Sequence, residues 1–227
     1  MVDTNKLFSK QERVTSSYDP EKGIDDNIPE GYELKELLAG KPKEDSRKFI
    51  VLVLSPIGEE DYDSIAQINR KLIVLEQSRS YTQVIATSDE VVLCKSCGGI
   101  FGDPYNGIEL KANILKVSNY GGSAWRWSEN YTFRFQDYEW QLIGATYDSY
   151  FNAKECPDGV GSAGRQLEDI NFATRKMQII HTRERNCTPY EDYWKKFEKK
   201  KPIALNAFPG KASQWPNGKI KDGDGKN

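Results

Sequence analysis

Four cysteines carry the most specific chemical signal in this chain. Cys94 and Cys97 form a C-x-x-C run that leads directly into Gly98-Gly99, and Cys156 and Cys187 follow 31 residues apart from each other. A C-x-x-C pair can be half of a zinc site, a redox couple or a disulfide. Structural zinc usually brings a second closely spaced pair, which Cys156 and Cys187 are not. Thioredoxin-type couples sit at a helix N-terminus, whereas this pair follows a strand-like run and meets Gly-Gly. Structural disulfides are therefore expected, either 94–97 with 156–187 or in a crossed pairing. An even cysteine count in a Tyr- and Trp-rich chain also favours an oxidising compartment.

Other catalytic chemistry finds little support. The chain has a single histidine, His181, inside the alternating apolar stretch MQIIHT, and no G-x-S-x-G elbow accompanies it. A Ser-His-Asp triad needs such a base beside a nucleophile, so His181 reads as a strand residue. Paired carboxylates for glycoside chemistry have many candidates among the 34 acids. Asp103, just before Pro104, is the acid to inspect first, and its blander role is to cap local backbone N–H groups in a turn. Asp222 and Asp224 in the tail hint at a calcium loop but lack the bidentate Glu that follows in an EF-hand. No catalytic residue, metal ligand or cofactor is assigned.

The densest sequence is Cys94–Trp140, where glycine pairs at 98–99 and 121–122, Gly102-Asp103-Pro104 and Asn106-Gly107 mark sharp turns. Trp125 and Trp127 would share one side of a strand and Arg126 the other. Their functional reading is an aromatic platform for a sugar or peptide. Their structural reading is sheet packing, with Arg126 paired to a carboxylate such as Asp103. The binding candidates are Asp103, Tyr105, Tyr120, Ser123, Trp125, Arg126 and Trp127. The loops around 98–107 and 120–127 are expected to form one contiguous surface.

Strands must position these residues. Phe49–Leu54 is a continuous, branched apolar run of the kind buried on both faces. Arg70–Glu76, Tyr81–Thr87 and Glu90–Cys94 are β-like. Ile108–Leu110 and Ile114–Val117 alternate about a turn at 111–113, and Trp125–Phe135 with Glu139–Thr146 form the clearest hairpin, with Phe133, Phe135, Trp140, Leu142 and Ile143 inward. Ile170–Ala173 and Met177–His181 form a late hairpin. Residues 59–69 are acidic and weakly helical, and 155–166 read as a loop. In Tyr190–Lys201 the three-residue spacing of Trp194 and Phe197 suggests a turn or two of helix, and Ile203–Phe208 a final strand. The fold class is mainly β, or α+β with little helix: an antiparallel sheet system, sandwich or open barrel.

Length and composition bound the rest. At 227 residues an all-β chain can form one domain, expected over 28–209 between a flexible arm at 1–27 and a disordered tail at 210–227. Hydrophobic residues make up 37%, but 12 Tyr, 9 Phe and 5 Trp supply large buried areas. The net charge of −2 lacks the basic footprint of a nucleic-acid binder. No apolar run approaches the roughly 18 residues of a spanning helix. Residues 1–23 contain no apolar signal-peptide core.

An IPxGY opening, a VLVL strand, CxxCGGxFGDPYxGI, YGGSAWRW and YTFRFQ…WxLIG together resemble a family of uncharacterised bacterial exported proteins and lipoproteins, over roughly Ile28 to Phe208. Such proteins often carry an acidic loop like that of FG-GAP/VCBS-type repeats before the first strand. Here Gly40-Lys41-Pro42-Lys43-Glu44-Asp45 lacks the alternating Asp and Asn ligands, and calcium needs six to eight oxygens, so no calcium is expected there. The resemblance implies an exported, β-rich protein and carries no activity.

These observations lead to a non-enzymatic extracytoplasmic binding protein that uses the Gly-rich loops and the Trp-bearing strand. It would be periplasmic or outer-membrane-anchored if the native gene encodes a signal peptide. Its partner would be a protein or glycan of the cell envelope, with no nucleic acid. Two alternatives stand beside it: an immunity or inhibitor protein that neutralises a toxin or hydrolase, and a carboxylate-based hydrolase.

Overall fold

The computed structural model describes residues 22–40, 47–78, 81–154, 156, 162–198 and 201–210. Among these, a short helix α1 (Lys22–Asp25) precedes eleven strands. Strands β1 (Tyr32–Gly40), β2 (Lys48–Pro56), β3 (Arg70–Gln77) and β4 (Thr82–Val92) form an antiparallel four-stranded sheet in sequential order. Strands β5 (Tyr105–Lys111), β6 (Ile114–Gly122), β7 (Trp125–Gln136), β8 (Glu139–Phe151), β9 (Ala163–Asn171), β10 (Lys176–Thr182) and β11 (Pro189–Lys196) form a second, seven-stranded meander. The protein is thus mainly β, as its alternating runs require, and the two sheets do not close into a barrel.

One core joins the sheets. Phe49, Val51, Val53, Leu72 and Val74 of the small sheet meet Leu115, Val117, Tyr131, Phe133, Trp140 and Leu142 of the large one. Phe49 contacts the rings of Phe135 and Trp140 at centroid distances of 4.8 and 5.2 Å, within the range where tilted aromatic pairs attract. β2 is buried on both faces, because Ile50, Leu52 and Leu54 pack with Ile73, Leu75 and Ile24 on the far side. Of the segment expected as an arm, residues 1–21 lie outside the described residues, while Ile24 belongs to this second cluster. The acidic 41–45 segment, 157–161 and the tail beyond Gly210 also lie outside them.

Several local expectations change. Tyr190–Lys196 is edge strand β11 rather than helix, paired with β10 from Lys176↔Lys196 to Thr182↔Pro189. An edge strand wet on both faces shows no period-2 pattern, so the chance spacing of Trp194 and Phe197 mimicked a helix. Residues 59–69 form turns instead of helix. The run 81–94 is one continuous strand from Thr82 to Val92, with a bulge between its partners Val74 and Leu75. Ala163–Gln166, expected as loop, opens β9. Ile203–Phe208 makes a single bridge, Gln141↔Ala204, and a 3-10 turn at Leu205–Ala207. Ile143 sits at a bulge between β7 and β8 and is only half-buried.

Candidate binding site on the Gly-rich loops

Both disulfides pair as neighbours: Cys94–Cys97 and Cys156–Cys187, with Cα separations of 5.1 and 5.7 Å. With all four sulfurs in disulfides, none remains for a zinc site. The first bridge closes a 3-10 turn at Lys95–Gly98, directly ahead of the loop that reaches β5. That loop docks on the end of β6. Gly99 bridges Gly122 in parallel, and the Tyr120 N–H donates to the Pro104 carbonyl at 2.8 Å. Glycine is required at this crossing. A Cβ on Gly121 would stand 2.6 Å from the Trp127 ring and 2.9 Å from the Gly98 backbone. Gly122 adopts φ +113°, and a Cβ there would lie 2.0 Å from the Trp125 carbonyl oxygen. The segments around 98–107 and 120–127 are therefore in direct contact.

The candidate residues are nevertheless divided among four places. Register runs unbroken along β6–β7 from Ile114↔Arg134 to Gly122↔Arg126. Trp125 and Trp127 thus share the face of Tyr131 and Phe133, the face that bears the core, while Arg126 and Tyr120 occupy the opposite, outer face. Trp125 is 43% exposed and lies 5.4 Å from Phe151. Trp127 covers Gly121. Ser123 is exposed in the connecting turn, where its N–H donates to the Trp125 carbonyl. Asp103 and Tyr105 turn toward the junction of the two sheets.

At that junction Arg70, 0% exposed, joins two carboxylates. Its Nε and Nη2 donate to Glu59 at 2.8–3.2 Å, and its Nη1 and Nη2 donate to Asp103 at 2.6 and 2.8 Å. The Ser55 hydroxyl donates to Glu59 at 2.8 Å, and Lys35 stands 3.6 Å from Asp103. The Tyr105 N–H also donates to Asp103, and its hydroxyl donates to Glu36 of β1. Burial works to raise the Asp103 carboxyl, but Arg70, the Tyr105 N–H and Lys35 outweigh it and hold it below its ordinary value. Burial and the Glu36 carboxylate push the Tyr105 hydroxyl well above its ordinary range. Asp103 thus pairs with the buried Arg70 from a position that keeps 34% of its own side chain exposed, and it does not pair with Arg126. Both its oxygens are engaged and it stays ionised, which suits a structural tether and opposes service as a general acid.

His181 pairs through Nδ1 with Glu191. Cross-strand register places Gln166 between Ser149 and His181. Two strand spacings make about 10 Å, so Ser149 lies beyond hydrogen-bond reach of His181.

The outer face presents a different arrangement. The Arg126 guanidinium lies 3.7 Å from the centroid of the Phe101 ring, close enough for a cation–π contact. Phe101 is also 6.2 Å from Tyr120. Tyr150, directly across from Arg126, is raised by burial and by its hydrogen bond to Tyr120. Arg165 and Asp148 form a two-bond ion pair beside them at 2.9 and 2.8 Å. Ile100 is 81% and Phe101 49% exposed. Nη1 of Arg126 is enclosed and has no hydrogen-bond partner among the described residues. Ile100, Phe101 and Tyr150 escaped sequence reasoning, although an Ile-Phe pair between Gly99 and Gly102 was a signal, since a tight turn offers apolar side chains little burial. Arg70 and Glu59 carried no local signal.

Fold and site together define a disulfide-bonded, two-sheet β protein with an aromatic–arginine patch on the outer face of its larger sheet. Comparison with protein-family models, with curated proteins and with solved structures finds no match in any of the three. No helix among the described residues is long and apolar enough to cross a membrane.

Proposed function

We propose that this chain is a non-enzymatic extracytoplasmic binding protein whose partner, a protein of the cell envelope, seats on the outer-face patch of Ile100, Phe101, Tyr120 and Arg126. The observation that carries this reading is the Arg126–Phe101 stack: an arginine half-buried over an exposed ring, with one guanidinium nitrogen still unpaired. Arginine and aromatic side chains are the types on which interface energy concentrates. A rigid support lowers the ordering cost of binding. Here the Cys94–Cys97 bridge, the glycine crossing and the Arg70 tether all anchor the loop. Two disulfides accord with export to an oxidising compartment.

A photo-reactive residue in place of Phe101 tests the reading in envelope preparations of the producing cell. One discrete protein adduct is expected, lost when Arg126→Ala is added. The same probe in place of Tyr138, which is exposed on the remote β7–β8 turn, should not form that adduct. No adduct at 101, or the same adduct at both positions, would overturn the assignment.

A further inference from the structure

A second site lies at the opposite end of the large sheet, where the turns of the β7–β8 and β9–β10 hairpins approach the returning segment 201–205. The cavity there measures about 730 Å³, a size typical of small-ligand pockets. Leu142, Ile143, Phe172, Phe197 and Ile203 supply apolar walls. The returning chain is held by the Leu142 N–H donating to the Ile203 carbonyl at 2.8 Å, and the Phe197 N–H donates to the Arg175 carbonyl at 3.1 Å. Phe172 and Phe197 meet edge to face at 5.9 Å.

Three cations, Arg134, Arg175 and Lys201, border this space against one carboxylate, Asp137. Among the described residues none of the three cations is in an ion pair. Arg134 Nε is shielded from solvent and lacks a hydrogen-bond partner there. An enclosed, unpaired guanidinium donor is unfavourable until an anion meets it. Gln136 and Gln141, which also line the space, are hydrogen-bonded to each other at 2.6 Å, whereas Arg134 Nε is enclosed and unpaired among the described residues.

We infer that this cavity binds a small amphipathic anion, a carboxylate on an apolar body, with the carboxylate on Arg134 and the body against Phe172, Phe197 and Ile203. The planar guanidinium suits a two-oxygen acid, and Arg175 and Lys201 at the rim favour its entry. This site shares no residue with the outer-face patch and does not depend on it.

Decanoate is the probe, followed by amide chemical shifts of the full chain, with decanol as its uncharged counterpart. Saturable shifts are expected at Ile143, Phe172, Phe197 and Ile203, with decanol at least tenfold weaker. Arg134→Ala should weaken decanoate at least tenfold, Arg134→Lys should recover part of the loss, and Phe101→Ala should change nothing. If Arg134→Ala does not fold, the double variant Arg175→Ala/Lys201→Ala, altered only at exposed positions, should still weaken decanoate severalfold. Unsaturable shifts, shifts centred elsewhere, equal affinity for decanol, or indifference to these variants would overturn the inference.

Discussion

Arg70 donates from Nη1 and Nη2 to the two oxygens of Asp103, across 33 residues of sequence and from one sheet to the loop of the other. The same guanidinium holds Glu59, so one buried cation ties the start of β3 to the acidic turn and to the Gly-rich loop. Removing it would leave Glu59 buried without its partner. Arg70→Met is expected to destabilise the fold by about 3–5 kcal/mol, the usual result of breaking a buried pair from one side. Urea denaturation provides the measurement, and a loss under about 1 kcal/mol would contradict the bridging role.

Protonation should loosen the same tether. The folded-state Asp103 carboxyl lies below its ordinary value of about 3.8, while in the unfolded chain it returns to that value. Its contribution is therefore complete above the unfolded value and is lost as pH falls through the depressed folded one. The stability difference between the protein and its Asp103→Asn variant is expected to be constant near neutrality and to shrink below about pH 4. Thermal melts between pH 2 and pH 7 would show it, and a difference independent of pH would refute it.

The two disulfides should differ in weight. Loop-closure entropy grows with the span closed, so the 31-residue separation of Cys156 and Cys187 corresponds to roughly 3–4 kcal/mol and the short Cys94–Cys97 loop to about 2. The Cys156→Ser/Cys187→Ser variant is expected to melt lower than Cys94→Ser/Cys97→Ser. Native protein should show no thiol reactive toward a titrating reagent. Four reactive thiols would rule out both bridges.

Trp125 is neither a fully buried core residue nor a free platform. It lies against Phe151, and a Cβ on Gly164 would come within 2.7 Å of its ring. With 43% of its surface exposed, Trp125→Ala should cost about 2 kcal/mol, below the 3–5 of a fully buried aromatic. Since the residue faces away from Arg126, adduct formation at position 101 should persist in this variant. Loss of the adduct with an unchanged melt would instead place the partner on the Trp face.

Much of the β-architecture was legible because strand signals are local. Branched apolar runs, period-2 alternation and turn residues identified β2, β3, β5–β8 and β10, and the spacing of the cysteines argued against zinc. The same local logic failed for β11, whose exposed faces carry no alternation. It also recognised that Trp125 and Trp127 oppose Arg126, without revealing which side the core would cover.

Sequence alone therefore determined most of the strands, the main hairpin turns and the crowding of glycines where two loops had to meet. Only the tertiary structure decided that Asp103 belongs to Arg70 rather than to Arg126. It also decided that Phe101 rather than Trp125 lies beside that arginine, and that Arg134 closes onto an apolar cavity. The reason is physical. Alternation and turn propensity act over a few residues, whereas the partner of a charge is set by which sheet face the core buries. Among 34 acids, nothing in the chain's local order distinguishes the carboxylate that packing will bring within 3 Å of a buried arginine.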